Sequence, residues 1–218
     1  MCCFYRPDDD GRGQHCNTDA DFSHVTQTGL FVTVKGTQDL VVFGGDRWAD
    51  FAGNGIGYNQ WMPITFNGSK PAMQSLSEWS IDTSRGTWAI GPGNNFIMNP
   101  SFEADRTTIA TPAGWTADGG SNATSAHSGH WSWQLSGSLN QTITGLPNGT
   151  YTLAVWAKGT GGTLVEKGFG GTDKSTPLTA GSSWTHVSIN DIAVSNGTCT
   201  VAISSDSGYV DDLTLIKQ

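Results

Sequence analysis

The stretch TYTLAVWAKG, residues 150–159, carries side chains whose types and spacing could do chemistry. In an extended chain, alternation sends Tyr151, Leu153, Val155 and Ala157 to one face and Thr152, Ala154, Trp156 and Lys158 to the other. The first set is apolar and predicts a buried face, so Trp156 and Lys158 point outward. A flat indole on an open sheet suits stacking against the C–H face of a sugar ring, with polar neighbours to fix orientation. The run WTHVSIN follows the same rule: Val187 and Ile189 turn in, Trp184 and His186 turn out. Trp156, Lys158, Trp184 and His186 are therefore the candidate binding residues, the alternative being that a loop covers one or both indoles.

Other chemistry finds less support. Glycoside hydrolysis needs two carboxyls about 5–9.5 Å apart across a sugar, but Glu78, Glu103, Glu166, Asp206, Asp211 and Asp212 are scattered without visible pairing. The GFGG run at 168–171 lacks the Lys-Ser/Thr that a phosphate loop requires. Trp131, Trp133 and Leu135 share one parity and read as core, as does Trp115, whereas His127 and His130 flank Gly129 and read as turn residues.

The elements that must position these residues are short and β-like. Strand patterns recur over 131–135, 139–143, 151–157, 186–189, 198–203 and 209–216. Between them Asn148-Gly149, Gly161-Gly162 and Asn196-Gly197 supply the positive φ of tight turns. Many short strands with regular turns predict an all-β fold, an antiparallel β-sandwich or jelly roll. Earlier, GLFVTVKG, DLVVFGGDRW, YNQWMPITFNG, SLSEWSID and GTWAIGPG predict five strands, the last two forming a hairpin that turns at 83–86.

Composition narrows the partners. Hydrophobic residues make up 36% and charged residues only 14%, with 29 Gly and 9 Trp, which is not the charge-rich profile of disorder. A net charge of −8 argues against nucleic acid and against an anionic membrane surface. No apolar stretch approaches the length of a membrane span. Cys2, Cys3, Cys16 and Cys199 match no zinc pattern, and Cys199 in TCTVAIS reads as a buried free thiol. The first 27 residues read as an irregular leader; His15, Cys16 and His24 are given no role there. They lack the sections of a signal peptide, so action at the cell surface or outside it would need an export signal beyond this chain. Sequons at Asn67, Asn122, Asn140, Asn148 and Asn196 read as turn chemistry.

Two resemblances emerge from the motifs. The order NPSFE, GW, HSG, QTITGLPNGTYTLAVWAK and a terminal VDDLTL over 95–218 resembles the β-jelly-roll carbohydrate-binding modules of bacterial polysaccharide hydrolases, the group related to families 4, 9, 16, 22 and 61. The resemblance implies sugar binding. It also implies a structural calcium held by Glu103 of NPSFE, the turn at Ser128 and Asp211 of VDD. Ca²⁺ takes six to eight oxygens from carboxylates and turn carbonyls. The alternative is two hydrogen-bonded carboxylates closing the ends of the sandwich.

The second resemblance spans 28–93. VVFGGDRWADFAGNGIGYNQWMPITFNG is similar to the C-terminal end of a glycoside hydrolase family 43 β-propeller, its exo-β-1,3-galactanase-like branch. It implies a partial blade, because a blade takes roughly four strands. The family's catalytic acids lie in upstream blades, so no catalytic residue carries over and enzyme status stays open. IGPGNN at 90–95 marks the boundary. The expectation is a non-catalytic module for plant-type β-linked polysaccharide, galactan or xylan, following a catalytic propeller in a parent chain. The alternatives are a truncated family 43 glycosidase or a structural cell-surface sandwich.

Overall fold

The computed structural model describes residues 27–47, 58–67, 70–72, 75–104, 111–159, 161–179 and 181–218. The leader, apart from Gln27, lies outside the described residues, with Cys2, Cys3, Cys16, His15 and His24; so does Trp48 of the GDRW motif.

Alternating apolar runs separated by turns build strands throughout. β1 (Gln27–Lys35), β2 (Asp39–Arg47) and β3 (Tyr58–Pro63) form an antiparallel meander in the order β1-β2-β3. Two hairpins follow, β4 (Thr65–Asn67) with β5 (Lys70–Ala72) and β6 (Trp79–Asp82) with β7 (Thr87–Ile90). The second hairpin turns where the sequence predicts. Asp82 Oδ1 accepts the N–H groups of Ser84 and Arg85, both at 3.0 Å, and Gly86 takes φ +71°. Among the described residues seven strands form here where five are expected, partly because YNQWMPITFN breaks at Ile64 into β3 and β4. Among the described residues no propeller closes.

From Asn95 onward two antiparallel sheets stack. Their strands are β8 (Thr116–Asp118), β9 (Ser121–Ala123), β10 (Ser132–Gln134), β11 (Gly137–Thr144), β12 (Gly149–Lys158), β13 (Gly162–Lys167), β14 (Lys174–Leu178), β15 (Thr185–Val194), β16 (Thr198–Ser205) and β17 (Tyr209–Lys217). One sheet runs β15-β12-β17-β10-β9 and the other β14-β13-β16-β11-β8. β8, β9, β13 and β14 lie outside the strand patterns read from the sequence, the first two because three residues are too few to show alternation. Inward-facing Glu166 masks the alternation of TLVEK, and KSTPL carries Pro177, tolerated because β14 is an edge.

The inner faces of the two sheets make one continuous core, a two-layer β-sandwich. Trp133, Leu139, Tyr151, Leu153, Val155, Val201 and Leu215 have no exposed surface, and Trp115 is buried as expected. Trp131, which shares the parity of Trp133 and reads as core, is only partly buried and packs against the cluster. Cys199 is a buried free thiol. Glu166 is also fully buried, and neither of its carboxylate oxygens has a hydrogen-bond partner. Burial pushes its carboxyl up to about 7, the neighbouring Cys199 thiol lying near enough to lower it but not in hydrogen-bonding geometry.

Candidate functional site

Strand β12 lies between β15 and β17, so its outward residues are flanked by a strand on each side of an outer sheet face. Tyr151, Leu153, Val155 and Ala157 are buried inward, and Trp156 and Lys158 face outward, partly exposed. Register then selects their neighbours: Trp156 is opposite His186 on β15 and Asp211 on β17, while Lys158 is opposite Tyr209. Trp184 stands just before β15. The four residues singled out from the sequence therefore meet on one surface. Trp156 and His186 rings lie 5.2 Å apart, and the Lys158 ammonium lies 5.8 Å from the Trp184 ring and 5.9 Å from the Tyr209 ring.

Over this face runs the segment 124–131, which connects β9 to β10. Its His127 stacks on Trp156 at 4.0 Å between ring centres and 15° between planes, and meets Trp184 edge-on at 5.7 Å and 69°. Ser125 Oγ accepts a hydrogen bond from Lys158 Nζ at 3.1 Å. The sequence marks His127 as a turn residue and gives Ser125, Tyr209 and Asp212 no evident role. Only the HSGH cluster and the doubled Asp of VDD hinted at them. One face of Trp156 is thus covered by a loop, the alternative weighed from the sequence, while Trp184 and His186 border the same patch.

Carboxylates tie that loop down. Asp211 Oδ2 accepts the N–H of His127 at 2.8 Å and of Ser128 at 3.2 Å, and Oδ1 accepts the N–H of Asp212 at 2.8 Å. Glu103 Oε1 accepts the N–H groups of His130 at 2.8 Å and Trp131 at 2.6 Å. Between these anchors Gly129 takes φ +64°, and a Cβ there would collide with the Glu103 carboxylate, so the turn demands glycine. Asp212 Oδ2 meets His127 Nδ1 at 2.6 Å, and its Oδ1 accepts the Ser128 hydroxyl at 2.6 Å.

Asp211 has no exposed surface. Burial, then the charge of Asp212, pushes its carboxyl up to about 7 against the pull of the three N–H donors. Glu103, Ser128 and Asp211 do converge on one turn. Their donor chemistry, two carboxylates with loop carbonyls, is the oxygen set that calcium takes. The Ser128 N–H and hydroxyl are already committed to Asp211 and Asp212, so its carbonyl is the atom that could face a cation. Among the described residues no group of three or more His, Cys, Asp or Glu side chains could hold a metal ion. The other carboxylates have structural surroundings: Glu166 is inside the core, and Glu78 Oε2 accepts the Gly93 N–H at 2.9 Å.

No protein-family model matches the chain, and no curated protein matches it. Solved structures do. A family 61 carbohydrate-binding module in complex with β-1,4-galactotriose is 23% identical, covering 57% of this chain and 99% of its own, with a TM-score of 0.49. A family 16 carbohydrate-binding module is 24% identical over 47% of this chain and 90% of its own, at TM-score 0.37. An exo-β-1,3-galactanase from Phanerochaete chrysosporium with galactose is 15% identical over 88% of this chain, which spans 44% of the enzyme, at TM-score 0.34.

Proposed function

We propose that the chain binds carbohydrate on the outer face of the β15-β12-β17-β10-β9 sheet, as a non-catalytic module. The observation that carries this reading is the gathering of Trp156, Trp184 and His186 with Lys158 on one partly open surface. Aromatic faces meet the C–H side of a pyranose, and ammonium and imidazole groups answer its hydroxyls. The ligand is a neutral β-linked plant-type polysaccharide of the galactan or xylan class, met outside the cell or at its surface. Affinity electrophoresis of the whole chain in soluble galactan and xylan tests the reading. Retention insensitive to salt is expected, with Trp184→Ala losing roughly 1–3 kcal/mol of binding at unchanged melting temperature. Retention of neither polysaccharide, or full retention by Trp184→Ala and Trp156→Ala alike, rejects it.

A structural calcium held by Glu103, Asp211 and the main chain at Ser128 completes the proposal. The buried Asp211 carboxyl favours it, because a divalent ion beside that group would offset its burial and the charge of Asp212. Calcium at 100 times its dissociation constant would add about 2.7 kcal/mol of stability. Chelation should therefore lower the melting temperature of the wild type and leave Glu103→Ala unmoved. A calcium-loaded sample indifferent to chelator removes the ion from the proposal.

A second reading concerns 28–93 as the last, partial blade of a family-43-like propeller whose catalytic blades lie upstream in a parent chain. Exposed Leu30, Val32, Trp61 and Ile81 favour it, since neighbouring blades would cover them. Expression in frame with such a propeller should protect these side chains from solvent; unchanged exposure rejects the arrangement.

A further inference from the structure

Successive residues of a strand ordinarily point to opposite faces. Asp211 and Asp212 nevertheless serve the same loop. The pairing of β12 with β17 makes this possible: Ala154 is opposite Thr214 and Trp156 opposite Asp211, so β17 carries an extra residue. Asp212 lies in that bulge at φ +46°, a left-handed conformation costly for a residue with a Cβ. Bulges of this kind re-aim side chains. The re-aimed carboxylate takes His127 Nδ1 on one oxygen and the Ser128 hydroxyl on the other, both at 2.6 Å. Asp211 and Glu103 already hold the loop by its backbone, so the bond from Asp212 to the ring sets the orientation of an imidazole.

That orientation has a chemical consequence. A carboxylate is an acceptor, so Nδ1 of neutral His127 carries the hydrogen and Nε2 keeps a lone pair. Among the described residues no hydrogen bond to Nε2 occurs. The imidazole lies flat on Trp156 and at 69° to Trp184, so the two outer rings form a corner that Trp156 supports from behind. A pyranose fits such a corner with its C–H face on one wall and a hydroxyl directed at the other.

We propose that His127 contacts the sugar directly, accepting a hydroxyl hydrogen bond at Nε2, that Trp184 is the stacking wall beside it, and that Asp212 is the positioning residue that fixes the imidazole. This rests on the carbohydrate reading above and sharpens it: Trp156 backs His127 and does not meet the ligand on its covered face. The two arrangements predict opposite results for one substitution. If Trp156 were the platform, removing His127 would uncover it and binding would hold or improve. If His127 is the contact, binding falls.

The experiment is titration calorimetry of the full chain with soluble galactan and xylan oligosaccharides. His127→Ala should weaken binding by about tenfold, the scale of one hydrogen bond with its ring contact. His127→Phe keeps the stack on Trp156 but removes the acceptor, and should be weakened similarly even if the alanine variant is less stable. Asp212→Ala should weaken binding severalfold, and Asp212→Asn should restore most of it because its amide oxygen can accept the Nδ1 hydrogen. Nitrogen-15 spectra at one pH supply a signature that loop loosening alone would not produce. The His127 ring should show the Nδ1–H tautomer in the wild type and lose it in Asp212→Ala, while Ser128→Ala retains it. Wild-type affinity in both His127 variants, with Trp184→Ala still defective, overturns the inference and leaves the carbohydrate reading standing. Binding of neither sugar by the wild type overturns both. An Nε2–H tautomer in the wild type overturns the positioning role of Asp212.

Discussion

Residues 27–93 and residues 95–218 are both built from short antiparallel strands, yet they bury their apolar side chains very differently. In the sandwich, two five-stranded sheets face each other and one cluster extends from Phe96 to Leu215. Among the described residues of the N-terminal part the corresponding cluster is Phe43, Met62 and Ile64, with Phe31, Val41 and Leu76 against it. The other face of the β1-β2-β3 meander leaves Leu30 46% and Trp61 45% exposed. A sheet with apolar residues on both faces needs a layer on each side. Strand formation is local, whereas a core depends on a second sheet brought from a remote part of the fold.

The largest test of this contrast is a pair of truncations. Trp133→Ala removes a fully buried indole from the sandwich and should cost about 3–5 kcal/mol, lowering the melting temperature of the main transition. Phe43→Ala should leave that transition in place and shorten amide-exchange protection only in β1 to β3. If Phe43→Ala moves the main transition as far, the two regions are one cooperative unit and the comparison breaks.

Next in size is a defect inside the better-packed region. Glu166 titrates near 4.5 in an exposed setting and about 7 in the fold. Between those values the folded state keeps a proton that the unfolded chain has released. Stability is therefore full below about 4.5 and falls as pH rises to about 7, by about 3 kcal/mol in all. Glu166→Gln cannot ionise, so it should melt above the wild type at pH 8, with that advantage shrinking toward pH 4.5. Parallel pH profiles for the two proteins would show that this buried carboxyl does not carry the dependence.

The smallest effect is expected at the seam. Asn94 is buried, with Oδ1 accepting the N–H of Ser77 at 2.8 Å and Nδ2 donating to Ser75 O at 3.1 Å. Ser75 Oγ in turn donates to Ile97 O at 3.0 Å. Asn94→Ala takes their partner from the Ser77 N–H and the Ser75 carbonyl and should cost about 1–3 kcal/mol, read as faster amide exchange in β6 and β7 with the sandwich unchanged. Slower or unaltered exchange there would mean that the hairpin does not lean on the sandwich.

Much of this was legible in the residues themselves. The period of two is a property of the extended backbone, so TYTLAVWAKG alone decided which side of its strand carries Trp156 and Lys158 and which side is core. Parity also placed Trp133 inside, and the Thr83–Gly86 turn announced the hairpin. The antiparallel sandwich followed from many short strands with glycine turns. Local pattern failed where one residue contradicts its strand, as Glu166 does in β13, and where an edge tolerates a proline, as β14 does with Pro177. It failed most completely at His127. Nothing within a few residues of His127 says that its ring lies on Trp156 or that Asp212, 85 residues onward, holds it there. That arrangement depends on β17 lying beside β12, on an extra residue in one strand of the pair, and on a loop long enough to cross the sheet. These are contacts between segments remote in the chain, with the closure entropy of the intervening loops set against them. Only the assembled tertiary structure determines whether they form.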